Sequence, residues 1–300
     1  MNKLSAMTCF VRAVETGSFS AVGRELGIGQ PNVSRQIAAL EQALGTQLLH
    51  RSTRSLSVTP EGQRYYEQAR LALDVIAQAE SDARGQHKPQ GLLRVACSQA
   101  LGAEKLVGAM PAFMARYPDV QLDLRLSDAF ADLVSEGMDV AIRGAVLADS
   151  ALRARRVGSS ERVVLASTAY LDAWGVPETP ADLARHQCIL YTYMARGDTW
   201  PFRGGEMQVR GRMRINNLEG IRRAVLDGIG IGYLPSWMVW DQVRDGSVRV
   251  LLADHAAEPT PIYAVYAAQR LLPQRAVVFI DYVAAVFAGT PGLNGVSVMA

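Results

Sequence analysis

Gln30, Asn32, Ser34 and Arg35 stand close together near the amino end of this chain. An amide side chain can make paired hydrogen bonds to adenine, and a guanidinium can do the same to guanine. A serine hydroxyl can bond a phosphate or a base edge. Pro31 sits among them, in what would be the first turn of a helix, where a missing N–H costs little. On the opposite face Val33, Ile37 and Leu40 recur at helical spacing. A helix built this way buries one side and can present the other to the major groove of DNA. Its amino end also favours phosphate. Farther along, His50, Arg51 and Arg54 lie in an alternating stretch, 48–59, rich in Ser, Thr and Arg. It reads as two short strands. Two arginines on a hairpin suit backbone phosphates or a narrow minor groove, whereas His50 is equally a surface side chain without a role.

Elements upstream must hold that helix in place. Leu4, Met7, Phe10, Val11 and Val14 recur at helical spacing until Gly17. Ser18 or Ser20 can cap a second helix through Val22 and Leu26, ended by Gly27. The turn Gly27-Ile28-Gly29 is short enough for a helix-turn-helix. Gly29 then occupies the N-cap without supplying a capping oxygen. Thr59-Pro60-Glu61 starts a further helix with a cap, a first-position proline and an acid near the amino end. This helix is expected to reach about residue 87. Tyr66, Ala69, Leu73 and Ile76 form a short apolar seam at heptad spacing, continued by Glu80 and Ala83. Packing on its own domain is one reading. Pairing with a second copy is preferred, because the segment lies between two domains and ends at the hinge-like Pro89-Gln90-Gly91.

Three hundred residues suggest about two domains of roughly 150 each. Apolar residues make up 49%, enough for a real core. Net charge is only +2, yet residues 1–60 hold six Lys/Arg against three Asp/Glu, while the remainder holds 25 against 26. That imbalance alone does not establish DNA binding; the placement of the charges does. Cys9, Cys97 and Cys188 are widely separated, and no pair has metal-ligand spacing. They read as small buried side chains in a reducing compartment. Arg12 and Glu15 interrupt the early apolar stretch, so no signal peptide is expected. No run approaches the roughly 18 apolar residues of a membrane span. A cytoplasmic protein is expected.

From residue 92 the pattern changes. Strand-like runs at 92–96, 120–126, 140–142, 162–166, 189–193, 229–234 and 262–267 alternate with helical stretches at 104–117, 130–136, 218–226 and 274–287. Such alternation predicts a mostly parallel α/β sheet. One domain is possible, but two lobes are favoured, with the chain crossing near residue 163 and returning near residue 267.

Three stretches of the amino-terminal region then carry a specific resemblance: Phe19-Ser20 with Leu26-Gly27, Gln30-Pro31-Asn32-Val33-Ser34-Arg35-Gln36-Ile37, and 48–62. They resemble the LysR-type transcriptional regulators. The likeness continues through Asp139-Val140-Ala141-Ile142-Arg143-Gly144, Ala166-Ser167-Thr168-Ala169-Tyr170-Leu171 and the run from Gly228 to Pro235. It implies a winged helix-turn-helix over 1–59, a dimerising linker helix over 60–88, a hinge at 89–91 and an effector domain over 92–300. That domain would consist of two Rossmann-like lobes resembling a type 2 periplasmic binding protein, lobe I being 92–163 with 267–300 and lobe II 164–266. The implied partners are double-stranded promoter DNA, a small-molecule effector, further copies of the chain as dimer or tetramer, and RNA polymerase. No membrane, metal, cofactor or catalytic residue is implied. Gly29 stands where many members have Ser, and Leu49 where Phe is usual.

In open α/β sheets ligands sit beyond the carboxyl ends of strands. Ser98 and Gln99 follow the first expected strand, Ser127 the second, and Arg143 and Gly144 the third. In the second lobe Tyr191 ends a strand, Trp200-Pro201-Phe202 follows a loop, Asn217 precedes a helix, and Gly230 lies where a helix gives way to a strand. The resemblance matches these positions to the lining of the effector cleft; each also has a capping or core alternative. Hydroxyls, helix amino ends and Arg143 together favour a carboxylate effector, with Trp200 and Phe202 against an apolar or aromatic part. Gly228, Gly230 and Gly232 are not a dinucleotide fingerprint, because a helix precedes them and a strand follows, the reverse of the required order.

Two other function classes compete. An enzyme needs an activated nucleophile, an acid/base pair or a cofactor loop, and His87, His186 and His255 have no sequence neighbours suggesting a triad or metal set. A small-molecule-binding protein would suit the carboxyl-terminal region alone, but the DNA-reading segment argues against it.

Overall fold

The packing of three short helices sets the geometry of the amino-terminal unit. In the computed structural model, which describes residues 2–51, 56–83, 88–129, 137–144, 152–193, 198–268 and 272–295, the chain divides into Met1–Lys88 and Pro89–Ala300. Helix α1 (Lys3–Thr16) is capped by Asn2, which accepts from the Ser5 amide at 3.3 Å, and ends at left-handed Gly17. It buries Ala6, Cys9, Phe10, Val11 and Ala13. The apolar stripe is thus centred one position off the expected one, and Leu4 is left exposed at its edge. Helix α2 (Phe19–Glu25) is capped by Ser18. Helix α3 (Gln30–Leu44) starts at Gly29 without a side-chain cap and ends at Gly45. Strands β1 (Leu49–Arg51) and β2 (Leu56–Val58) pair antiparallel, and α4 (Pro60–Ala83) follows.

Val22, Val33, Ile37, Leu40 and Phe10 are fully buried in one cluster with Leu48, Leu49, Tyr66 and Ala69. Each large buried side chain contributes about 1.5–3 kcal/mol. The half-exposed Arg12–Glu25 ion pair joining α1 to α2, at 2.7 Å, contributes about 0–1 kcal/mol. Burial therefore decides the fold of this unit, and the ion pair only trims it. The seam on α4 divides. Tyr66 and Ala69 pack into their own unit, where Tyr66 donates to Glu15 Oε1 at 3.1 Å, while Val75 and Ile76 are exposed. The first turns of α4 therefore follow the own-domain reading. Positions 84–87, at the end of the expected helix, lie outside the described residues.

The described residues of the second unit form one five-stranded sheet, one three-stranded sheet and two strand pairs. Strands β3 (Gly91–Cys97), β4 (Val120–Leu126), β5 (Val140–Gly144), β6 (Leu152–Ser160) and β14 (Thr260–Ala267) form the first in the order β4-β3-β5-β14-β6. β3 runs parallel to β4 and β5, whereas β14 is antiparallel to both β5 and β6. Strand β7 (Arg162–Ser167) stands between antiparallel β12 (Gly232–Pro235) and β13 (Val248–Leu251) in the second. Beside it β8 (Ile189–Tyr191) runs parallel to β11 (Met213–Ile215), and β9 (Thr199–Phe202) with β10 (Gly205–Gln208) makes a hairpin. The sheets are thus mixed, correcting the expected mostly parallel arrangement. The chain leaves the first sheet along β6 and re-enters along β14. Two passes in opposite senses pair as antiparallel neighbours.

Helices α5 (Gln99–Leu101), α6 (Met110–Arg116), α7 (Thr168–Trp174), α8 (Leu218–Leu226), α9 (Trp240–Arg244) and α10 (Gln274–Ala288) cover these sheets. The helix expected over 104–117 is regular only in α6. Before it come a π turn, Gly102–Leu106, and a 3-10 turn, Val107–Ala109. Gly102 lies so close to Leu126 that a Cβ would meet its Cδ2 at 2.3 Å, and Pro111 removes a backbone donor. The helix expected over 130–136 lies outside the described residues. Phe113 of α6 meets Phe279 of α10 edge-on at 5.5 Å, and both are fully buried. None of the helices in the described residues is long and apolar enough to cross a membrane.

Gly62 on α4 has no room for a side chain, because a Cβ would lie 2.0 Å from the Leu48 carbonyl oxygen. Gly62→Ala should destabilise the amino-terminal unit by at least the about 1–3 kcal/mol typical of overpacking, seen as a lower melting temperature. Gly108→Ala, where nothing lies within 4 Å, should leave it unchanged.

Candidate nucleic-acid interface and ligand cleft

The 3.6-residue period of α3 sorts its side chains. Val33, Ile37 and Leu40 are completely buried. Gln30, Pro31, Asn32 and Arg35 are exposed, and Ser34 is half-buried. The structure thus brings five expected DNA-contacting residues together on the first two turns. Gly27, at φ 65°, makes the left-handed step between α2 and α3 that glycine takes without strain. Gly23 allows α2 to approach the turn closely, since a Cβ there would lie 2.7 Å from the Ile28 carbonyl oxygen. Ser5 Oγ donates to Gln36 Oε1 at 2.7 Å, tying α1 to α3.

His50 is exposed on β1. Arg51 ends that strand. Arg54 lies outside the described residues. Glu41, which the sequence reading passed over, places this hairpin: one of its carboxylate oxygens accepts from the Leu48 amide at 2.9 Å and the Leu49 amide at 3.1 Å. The pattern that could have revealed it is an acid on the last turns of a helix just before a tight connection to a strand. Leu49, where the resemblance favours Phe, is buried beneath the hairpin in the shared core.

In the second unit the chain brings Gln99 and Asn217 together from opposite lobes. Asn217 Nδ2 donates to Gln99 Oε1 at 2.9 Å, and Asn217 Oδ1 accepts from the Gly220 amide at 2.9 Å as the cap of α8. One side-chain amide therefore caps α8 and ties it to the start of α5. Ser98 is half-buried at the N-cap of α5 and makes no side-chain cap bond. Exposed Ser127 donates its amide to the Cys97 carbonyl at 3.0 Å, and its hydroxyl accepts from the Ala129 amide at 3.2 Å. Arg143 donates to the Ala129 carbonyl at 3.4 Å. Arg143 and Gly144 lie inside β5 rather than beyond it.

Two groups that the sequence reading missed complete this cluster. Asp128 Oδ1 accepts from the Gln99 amide at 2.9 Å. Its charge, after burial itself, helps push the Tyr191 phenol well above its usual pKa. Arg162, at the start of β7, faces Tyr191, Tyr233 and Asp128, and burial lowers its pKa. Arg162 could have been flagged as the one charge opening an otherwise apolar strand; Asp128 follows the strand-end Ser127 directly. Burial also pushes the Cys97 thiol up to about 12, so it stays a neutral thiol beneath the cluster.

Three expected cleft residues do not join it. Trp200 is only 1% exposed and stacks on Tyr233 at 5.6 Å, inside the second lobe. Phe202 is buried in the same core cluster, although it also lines a recess beside Arg162. Trp200 and Phe202 belong to β9 rather than to a loop end, and strand alternation turns both inward. Gly230 is buried where a Cβ would meet the Gln187 carbonyl oxygen at 2.3 Å. It serves close backbone packing, with the Ile231 amide donating to that carbonyl at 2.8 Å.

Residues 4–63 match the family model for the bacterial regulatory helix-turn-helix protein, lysR family. Residues 86–288 match the LysR substrate binding domain. The chain is 34% identical over 281 residues to the HTH-type transcriptional regulator CrgA of Neisseria meningitidis, covering 92% of this chain and 94% of that one. It is 32% identical over 286 residues to the HTH-type transcriptional activator AaeR of Escherichia coli, covering 94% and 93%. The solved structure of CrgA from Neisseria meningitidis superposes with a TM-score of 0.60 at 33% identity, covering 94% of this chain and 97% of that one.

Glu41→Ala should leave the Leu48 and Leu49 amides short of an acceptor and cost about 1–3 kcal/mol. Glu41→Gln, which keeps an acceptor oxygen, should cost less. Thermal unfolding of the two variants against the parent checks the order.

Proposed function

This chain belongs to the LysR family of bacterial transcriptional regulators, and on that premise we propose that α3 reads promoter sequence while a carboxylate effector between the lobes switches the protein's promoter contacts. The observation that carries the first half is the exposed set Gln30, Asn32 and Arg35 on a helix whose other face is fully buried. Gln30 and Asn32 suit adenine and Arg35 suits guanine. Pro31 starts the helix close to the duplex, and Ser34 bonds a phosphate or a base edge. His50, Arg51 and Arg54 hold phosphates beside the groove.

The division of labour follows the domain reading: 1–59 binds DNA, 60–88 pairs two copies, 89–91 is the hinge, and 92–300 takes the effector. Lobe I is 92–163 with 267–300, and lobe II is 164–266. Exposed Val75 and Ile76 on α4 support self-association as a dimer, and two dimers make the tetramer. RNA polymerase is the partner through which bound DNA is read out, and the setting is the cytoplasm. In the cleft, Ser98, Gln99, Ser127, Arg143, Gly144, Tyr191 and Asn217 surround the effector; the bond between Gln99 and Asn217 supports a site that senses the spacing of the lobes. Trp200, Phe202 and Gly230 shape the second lobe behind it. A ligand switches such a protein only through different affinities for two arrangements.

Arg35→Ala should relax sequence preference and cost about 1–3 kcal/mol of promoter binding, whereas Arg54→Ala should weaken all duplexes evenly. Selection of genomic fragments by the pure protein, followed by footprinting, supplies the readout; unchanged footprints in both variants overturn the reading. Affinity should also fall steeply with added salt.

A further inference from the structure

β7 opens on a charge. Val163 to Ala166, which follow Arg162, are all apolar and buried. Strand alternation puts Arg162 on the side of Val164 and Ala166, which pack with Trp200, Phe202 and Tyr233. The guanidinium carbon lies 5.8 Å from the centre of the Tyr233 ring. Its Nη1 is buried and makes no hydrogen bond, and Asp128 Oδ2 is buried and unpaired as well. A half-buried cation with one nitrogen sealed from water and without a hydrogen bond is costly, so its retention calls for something that completes it.

A recess opens beside this group. Its walls include Glu161, Val164, Phe202, Tyr233, Leu252 and Ala256, and apart from Glu161 and the Tyr233 hydroxyl these are apolar. Leu252 holds φ at 55°, the one positive value outside glycine among the described residues. A bulky side chain in that region is strained, and such strain gathers at ligand sites. Mostly apolar walls with a few polar or charged groups are the usual make-up of a small-molecule site.

We propose that Arg162 anchors the carboxylate of a small ligand whose compact apolar body fills this recess. This rests on the reading of the cleft as an effector site, and it names the anchor and the ligand class. A guanidinium takes a carboxylate through two parallel hydrogen bonds. A phosphate would bring a further negative charge toward Asp128. A neutral amide cannot supply the charge-assisted pair of hydrogen bonds that a carboxylate makes.

Benzoate and its neutral counterpart benzamide, titrated calorimetrically into the full-length protein, separate the possibilities. The parent should bind benzoate at least tenfold more tightly than benzamide. Arg162→Met should erase that preference, and Arg162→Lys should restore part of it. Arg143→Met should lower it less than Arg162→Met does. Ala256→Leu, which fills the recess and leaves Arg162 in place, should weaken benzoate while leaving duplex DNA retention unchanged; it carries the test if Arg162→Met does not fold. Without ligand, Arg162→Met should melt at or above the parent temperature, because it removes an incompletely partnered, half-buried charge. A lower melting temperature with an unchanged benzoate-to-benzamide ratio assigns Arg162 a purely structural role and overturns the proposal. So does a parent with no saturable benzoate binding. Loss of the preference in Arg143→Met but not in Arg162→Met overturns the Arg162 anchor and leaves the carboxylate reading of the cleft standing.

Discussion

The amino-terminal unit depends on one rotation: the angle at which α3 turns about its own axis. Val33, Ile37 and Leu40 are completely buried, and withdrawing any of them from the core would cost several times what a surface contact returns. Once those three point inward, a helix of 3.6 residues per turn has no choice about Gln30, Asn32 and Arg35. They face solvent together. The exposed face of α3 is therefore set by packing, through residues on its opposite face. Gly23 and Gly27 belong to the same constraint, since the first permits the close crossing of α2 over the turn and the second makes the left-handed step into it.

The effector unit obeys a different constraint, the double crossing between its sheets. β6 leads out and β14 leads back, and β14 sits reversed between β5 and β6. Two paired connections restrain sliding yet leave the lobes joined by few strands, an arrangement suited to hinge motion. The cleft side chains record this. Asn217 caps α8 in one lobe and bonds Gln99 of the other, so a change in lobe spacing must break or re-form that contact. Asp128 ties the same Gln99 by its backbone amide.

Helix α4 serves two environments along its length. Its first turns belong to the core through Tyr66 and Ala69, whereas Val75 and Ile76 stand in the open. One heptad pattern thus covers two kinds of burial, one within the unit and one that needs another surface. Periodicity reports which face is apolar and is silent about what covers it.

Much of this was legible before any coordinates. The cap at Thr59, the cap of α2 at Ser18 or Ser20, the stop at Gly17, the exposed face of α3, and the capping place of Asn217 all follow from short-range rules of turn, period and cap. The family itself was legible from the Gln30 to Ile37 run. The tertiary structure decided what depends on distant partners. It turned Trp200 and Phe202 inward against Tyr233, made Gly230 a packing residue against Gln187, reversed β14 within the first sheet, and brought Asp128, Tyr191 and Arg162 to one place. Local rules govern residues a few positions apart, where the chain itself fixes the geometry. Pairing between segments a hundred residues apart is settled only when the whole core closes, because no single stretch carries the free energy that selects it.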